Sequence, residues 1–74
     1  MSQEREYMID TGMDERLREA RKRKGLSQKD VAFKTGISQA LVSRWENGWN
    51  CPKIFHLDII SDLYGVSVDW LIGR

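Results

Sequence analysis

Apolar residues along this chain recur at the spacing of a helix rather than that of a strand. From Asp14 onward, Leu17, Ala20 and Arg21 fall on one helical face at i, i+3 and i+4. Gly25 follows in the C′ position, where glycine ends many helices. The pattern therefore predicts a first helix that starts near Asp14 and is stopped by Gly25.

Two further helices are predicted on either side of a short glycine turn. Ser27 is placed to cap the first of them, with Asp30 three residues on in a capping-box-like arrangement. Val31 and Ala32 supply the inner face of this helix, and Gly36 ends it.

The next segment has the same plan. Ser38 is a favoured N-cap residue, Val42 and Trp45 are the inward anchors, and Gly48 ends the helix. Two short helices joined by a tight turn that contains a glycine form the helix-turn-helix layout.

The C-terminal part of the chain predicts a fourth and a fifth helix. Pro52 suits the first turn of the fourth helix, and Gly65 ends it. Ser67 would cap the short fifth helix, which carries Trp70 and Leu71. One face of the fourth helix holds the residues expected to face the core: Ile54, Leu57, Ile60, Ser61 and Tyr64. Since no strand or repeat stands out, the predicted fold class is all-α, with five helices.

Composition narrows the class of protein. The 74 residues allow one small domain. The single cysteine, Cys51, cannot form an internal disulfide, which favours a reducing compartment. The sequence has no run of about 18 apolar residues for a membrane helix, and its N-terminus lacks an apolar signal-peptide segment. We therefore expect a soluble cytoplasmic protein with no membrane partner.

Charge is distributed unevenly along a chain whose net charge is only +1. Residues 16–44 carry nine basic and two acidic side chains, whereas residues 1–15 sum to −4 and residues 45–74 to −2. Such a basic block is typical of a protein that binds a polyanion, although a solvated helix face gives the same pattern. Residues 1–12 show no clear period, so we expect a flexible acidic leader there and a folded domain at 13–74.

The inventory of reactive side chains argues against an enzyme. His56 and Cys51 are the one histidine and the one cysteine, and they form no metal-ligand set. The segments GLSQKD and GISQAL lack the pattern of a glycine-rich phosphate loop. We expect no catalysis, no cofactor and no metal, with His56 an ordinary helix or surface residue.

Two motifs stand out, GLSQKDVAFKTGISQALVSRWENG at 25–48 and GVSVDWL at 65–71. A serine–glutamine pair opens each of the two central helices, and Glu-Asn-Gly closes the second of them. Together these features resemble the phage repressor and Cro-like (XRE-type) helix-turn-helix domains, over roughly residues 14–73. The resemblance implies a compact five-helix, lambda-repressor-like domain, with the helix-turn-helix at helices 2 and 3. It further implies a regulator of transcription that binds double-stranded DNA. Since these 74 residues hold no second domain for a ligand, we expect no small-molecule ligand.

The resemblance also assigns roles to individual residues. The third helix of these domains lies in the major groove, which makes its outward residues candidates for base reading: Gln39, Ala40, Ser43 and Arg44. Residues at helix ends and in the following loop become candidates for phosphate contact: Gln28, Ser38, Asn47, Trp49 and Lys53. Trp49 stands where the family often has a basic residue, so packing over the loop is the alternative favoured for it. Arg21 and Glu46 are implied to form a partly buried ion pair that joins the first and third helices.

A second apolar row on the fourth helix predicts a dimer. Phe55, Ile59 and Leu63 recur at i, i+4 and i+8, away from the face assigned to the core. A helix that is apolar on two sides needs two surfaces to pack against, and family members usually pair to reach two half-sites. We expect a homodimer through this row, helped by Val68, Trp70 or Ile72, on an inverted-repeat operator. The alternative is that the row packs on the final helix or the leader.

The competing hypothesis is an antitoxin or a similar adaptor that mainly binds a protein partner. Such a protein keeps the DNA-binding helix pair but uses the surface around Phe55 and Ile59 for a different protein. Little chain follows the fifth helix to wrap a toxin, so we expect a DNA-binding repressor instead.

Overall fold

The computed structural model describes residues 12–73 and consists there of five α-helices without strands. The helices are α1 (Met13–Arg23), α2 (Gln28–Thr35), α3 (Gln39–Glu46), α4 (Ile54–Tyr64) and α5 (Val68–Ile72). The predicted all-α class and the order of the five helices are confirmed. The predicted acidic leader lies outside the described residues, apart from Gly12.

Short-range hydrogen bonds fix the ends of the helices that the sequence signals marked. Gly25 has a φ of 72°, and its amide donates to the Lys22 carbonyl at 2.9 Å, while the Leu26 amide donates to the Arg21 carbonyl at 3.2 Å. This Schellman arrangement satisfies carbonyls that the end of α1 would leave unpaired. The predicted stop at Gly25 is therefore confirmed.

A reciprocal capping box begins α2. The Ser27 hydroxyl accepts from the Asp30 amide at 3.0 Å, and the Asp30 carboxylate accepts from the Ser27 amide at 2.9 Å. The backbone hydrogen bond from Ser27 is the main reason why the pKa of Asp30 is lowered. Ser38 caps α3 in a similar way by accepting from the Leu41 amide at 3.1 Å. Both predicted caps are confirmed. The turn between the end of α2 at Thr35 and the start of α3 at Gln39 consists of residues 36–38.

Every helix contributes to one core of apolar side chains: Met13, Leu17, Ala20, Val31, Ile37, Val42, Trp45, Leu57, Ile60, Tyr64 and Leu71. Met13 and Ile37 escaped the pattern analysis because each lies at a boundary, one at the start of α1 and one in the turn before α3. Through this core, the buried face of α3 packs against α1 and α2. It thereby fixes the direction of the third helix.

Two expectations for the fourth helix are wrong. Ile54 was assigned to the core, but it is 72% exposed. It opens α4 and lies about 90° around the helix from the face centred on Leu57, Ile60 and Tyr64, at 100° per residue. Pro52 does not lie in the first helical turn either. It is buried two residues before α4 begins, and Lys53 occupies the N-cap between them.

Candidate DNA interface

Helix α3 has a buried side and an open side. Val42, Trp45 and Glu46 are between 1% and 3% exposed and fix the helix against the rest of the domain. The opposite side carries all four candidates for base reading, of which three are exposed and Ser43 is half-buried: Gln39, Ala40, Ser43 and Arg44. These four positions span about 140° of the helix surface at 100° per residue. They form one contiguous outward strip, which we call the reading face.

The amide of Asn47 turns back onto α3. Its Nδ2 atom donates to the Ser43 carbonyl at 2.9 Å and contacts the Ser43 hydroxyl at 3.3 Å. Asn47 also forms the C-cap of the helix, with its backbone N–H on the Ser43 carbonyl. The side chain therefore supports the end of the reading face and orients the Ser43 hydroxyl within it.

Trp49 does not pack over the loop as expected, because its side chain is 67% exposed. The crevice beneath this loop is lined by other residues: Met13, Asp14, Trp45, Gly48, Asn50 and Cys51. The Trp49 backbone amide closes the end of α3 by donating to the Arg44 carbonyl at 2.9 Å. Because this hydrogen bond holds the main chain and other residues line the crevice, the indole projects into solvent beside the end of the reading face.

The other three phosphate-contact candidates lie at the starts of α2, α3 and α4. Ser38 opens α3 and Lys53 precedes α4, and both side chains are exposed. Gln28 opens α2 and is half-buried, with its Nε2 atom donating to Glu46 Oε1 at 3.1 Å. Local spacing does not reveal this last contact, because it joins residues 18 positions apart.

Arg21 and Glu46 form a bidentate pair between α1 and α3. The guanidinium Nε donates to Oε2 at 2.7 Å and Nη2 donates to Oε1 at 2.9 Å, while Nη1 binds the Leu26 carbonyl at 2.8 Å. Glu46 is only 2% exposed. The hydrogen bond to this carboxylate raises the pKa of Arg21 against the opposing effect of burial. Burial, reinforced by the charge of Glu46, also raises the pKa of Tyr64.

Arg18 adds a second contact from α1 to the end of α3. Its Nη2 atom donates to the backbone carbonyl of Glu46 at 2.6 Å. Sequence reasoning counted Arg18 only as part of the basic block. The spacing from Arg18 to Arg21, three residues on one helix, places both guanidinium groups on the same side.

The basic block of the sequence is therefore not a single surface. Arg18 and Arg21 point toward α3, whereas Arg23 pairs with Glu19 and lies over the Trp70 ring, 5.7 Å from its centroid. Two of the five basic side chains of α1, those of Arg18 and Arg21, thus support the fold. The basic residues closest to the reading face in sequence are Arg44, which belongs to it, and Lys34, five residues before Gln39.

The predicted dimer residues differ in how open they are. Phe55 is 56% exposed and Ile59 is 41% exposed, whereas Leu63 and Trp70 pack partly against the core. The Phe55 ring also lies against His56, with their centroids 4.1 Å apart, and His56 contacts Trp45 at 5.2 Å. His56 is thus a half-buried helix residue, and the open part of the row is limited to its N-terminal half.

The described residues form neither a metal site nor a membrane-spanning helix. In the range 12–73, no three His, Cys, Asp or Glu side chains come together to hold a metal ion. None of the five helices is long and apolar enough to cross a membrane. Cys51 lies in the exposed loop after α3, and partial burial raises the pKa of its thiol.

Comparison with known proteins matches residues 17–71 to the helix-turn-helix family. The HTH-type transcriptional regulator ImmR of Bacillus subtilis is 37% identical over 62 residues, which cover 84% of this chain and 49% of that protein. The regulator AnsR of the same organism is 33% identical over 60 residues, covering 81% and 52%. The transcriptional activator BcrR of Enterococcus faecalis is 32% identical over 60 residues, covering 81% and 29%.

The chain thus spans about half the length of ImmR and AnsR, and less of BcrR. The family match extends from α1 into α5 and includes the whole of α2, the turn and α3. Together with the reading face and its supports, this match shows that the chain belongs to the XRE-type helix-turn-helix family.

Proposed function

We propose that this chain is a sequence-specific regulator of transcription that binds double-stranded DNA with α3 in the major groove. The observation that carries this proposal is the reading face. Four polar or small side chains lie on one open strip of a short helix, and the opposite strip is locked into the core. A helix fits the major groove, where every base pair presents a distinct pattern of donors and acceptors.

Each side chain of the reading face suits a contact with a base edge. The Gln39 amide can both donate to and accept from adenine, and the Arg44 guanidinium can donate twice to guanine. Ala40 offers a methyl group to a thymine methyl, and the Ser43 hydroxyl can either donate to or accept from a base edge. Because Gln39 and Arg44 are exposed and no hydrogen bond holds their side chains in the described part of the chain, DNA can engage them at little cost.

Phosphates on both sides of the groove would fix the orientation of α3. Gln28 and Ser38 stand at the first turns of α2 and α3, where free backbone N–H groups and the helix dipole favour an anion. Lys53 and the indole N–H of Trp49 supply donors beyond the other end, where Asn47 caps α3. Such contacts position a protein on the duplex without specifying the sequence.

We further propose that two copies bind an inverted-repeat operator as a homodimer. Phe55 and Ile59 leave an open apolar surface on α4, and Leu63 and Trp70 border it. A two-fold dimer uses the same patch on both subunits. Repression requires only that such a dimer occupy promoter DNA. We therefore propose a repressor, although one relative of the chain is named an activator.

Selection of random duplex DNA against the purified protein tests the proposal. The expected result is an enriched inverted repeat whose half-site centres lie about one helical turn apart. A Gln39→Ala, Arg44→Ala variant should lose this enrichment, and a Glu19→Gln variant on the far face of α1 should keep it. If the folded wild-type protein enriched no motif, sequence-specific binding would be excluded. A partner captured by Phe55 and Ile59 would then support the adaptor hypothesis.

A further inference from the structure

The orientation of the Gln28 amide is fixed by its neighbour. An amide side chain can turn either its NH₂ group or its oxygen toward a partner. Here the partner is Glu46, whose carboxylate is engaged by Arg21 and offers only acceptor atoms. The nitrogen of Gln28 must therefore face Glu46, as the 3.1 Å contact from Nε2 to Oε1 shows.

This arrangement leaves one donor on Gln28. The Nε2 atom carries two hydrogens in the plane of the amide, and one of them is directed at Glu46. The second hydrogen points elsewhere in the same plane, and its direction is set once the first is bound. Phosphate oxygens only accept hydrogen bonds, so this second N–H is the atom through which Gln28 can bind a phosphate.

The carboxylate is well suited to hold the amide next to a phosphate. Its charge is neutralised by the bidentate contact with Arg21, which limits repulsion of a nearby anion. Glu46 is also the last residue of α3, and Arg18 fixes its carbonyl. A group held by Glu46 is thus held in register with the reading face.

We infer that Glu46 is a positioning residue of the DNA interface, which holds Nε2 of Gln28 so that its remaining N–H meets a DNA phosphate at the start of α2. This inference rests on the proposed DNA-binding function. It assigns to Glu46 a task beyond the ion pair with Arg21. It also links one phosphate contact mechanically to the end of the reading helix.

A double-mutant cycle between Glu46 and Gln28 tests the inference. Glu46→Gln leaves one acceptor oxygen to serve the three donors of Arg21 and Gln28 that the carboxylate now binds. The contact that holds Nε2 of Gln28 is thereby weakened, and its second N–H loses its fixed direction toward the phosphate. Gln28→Leu removes the amide altogether. The probe is a duplex of the sequence enriched by selection, and the readout is Kd.

Each single variant should weaken binding about tenfold, as expected for a hydrogen bond to a charged group. The double variant should also weaken binding about tenfold, because both changes remove the same contact. A loss of about a hundredfold, the product of the single effects, would overturn the inference. The control is Gln39→Leu, whose side chain does not contact Glu46, so its effect should multiply with that of Glu46→Gln.

A purely structural role for Glu46 predicts a different result. Thermal unfolding of each variant, compared with its Kd, separates the two cases, since only positioning couples Gln28 and Glu46 in the affinity of fully folded protein. If Glu46→Gln does not fold, the wild-type NMR signals of the Gln28 side-chain amide decide. One proton should be protected in the free protein and the other should shift when the duplex is added. Two unprotected protons would contradict the inference, whereas failure of the wild type to bind any duplex would refute the proposed function itself.

Discussion

Arg18 and Glu46 are 28 residues apart in the sequence, yet the guanidinium of one donates to the backbone carbonyl of the other at 2.6 Å. This carbonyl belongs to the last turn of α3, where the helix leaves four carbonyls without partners inside the helix. A positive charge is also favourable at the negative end of the helix dipole. Helix α1 thus supports the reading helix through its main chain as well as through the Glu46 side chain.

Replacement of Arg18 by methionine should therefore destabilise the domain by about 1–2 kcal/mol. This is the usual contribution of a hydrogen bond from a charged donor, reduced because the site is partly exposed. Urea unfolding measures this difference. The matched control is Lys22→Met, because Lys22 is exposed on the same helix. Substitution of such a surface side chain usually changes stability by less than about 0.5 kcal/mol. Equal losses for the two variants would argue against a cap on α3.

Glu46→Ala should be much more damaging. The substitution leaves the Arg21 guanidinium without its carboxylate in a site where the pair is nearly excluded from water. Loss of one partner of a buried pair costs about 3–5 kcal/mol. Because Glu46 lies off the reading face, the base preference of the folded fraction should stay the same. An unchanged melting temperature would refute the energetic importance of the pair.

Substitutions on the reading face should change base preference and leave stability almost unchanged, the reverse of Glu46→Ala. Gln39→Ala and Arg44→Ala remove exposed side chains, so stability should change by less than about 0.5 kcal/mol. Each should relax the preference at one base position in each half-site by about 1–3 kcal/mol. Competition binding with operator duplexes altered at single positions checks this. A uniform loss of affinity for all duplexes would instead assign that side chain to phosphate contact.

The proposed dimer makes a prediction for α4. Phe55→Lys and Ile59→Lys place charges in the open apolar surface, so the variants should sediment as folded monomers and bind a full operator more weakly than the wild type. Phe33→Lys is the control, since Phe33 is 89% exposed on α2, outside this surface. A wild-type protein that sediments as a monomer both free and on DNA would exclude the homodimer.

The capping box of α2 predicts a dependence of stability on pH. The pKa of Asp30 is lower in the folded chain than its ordinary value, chiefly through the hydrogen bond from the Ser27 amide. The contribution of Asp30 is therefore fully present above the unfolded-state pKa of about 3.9. It is lost as the pH falls through the lower pKa of the folded state. The difference in unfolding free energy between the wild type and Asp30→Ala should shrink as the pH falls below the unfolded-state pKa of about 3.9. A difference that stays constant would contradict this origin.

Local signals predicted most of the fold. The caps at Ser27 and Ser38 and the stop at Gly25 depend on hydrogen bonds between residues at most five positions apart, which sequence spacing reveals. Ile54 was misassigned because an apolar residue in the first turn of a helix fits a helical pattern whether or not the core reaches it. Its exposure depends on how α4 meets the other helices, and no local pattern contains that information.

The site was predictable only in part. The outward strip of α3 follows from its helical period once Val42 and Trp45 are placed inside. The contacts of Gln28 and Arg18 with Glu46 were not foreseen, because they join three helices and depend on their packing. Trp49 was expected to pack over its loop, but the crevice there is lined by residues from both ends of the segment and from α1.

The exposure of Trp49 makes the chain its own optical reporter. The protein has three tryptophans: Trp45 is buried, Trp70 is half-buried and Trp49 faces water beside the end of α3. Indole emission shifts to longer wavelength in water, so the red edge of the spectrum belongs mainly to Trp49 and the blue edge to Trp45. Quenching of the red edge by added duplex would follow occupancy without a label, while the blue edge would register unfolding in the same cuvette.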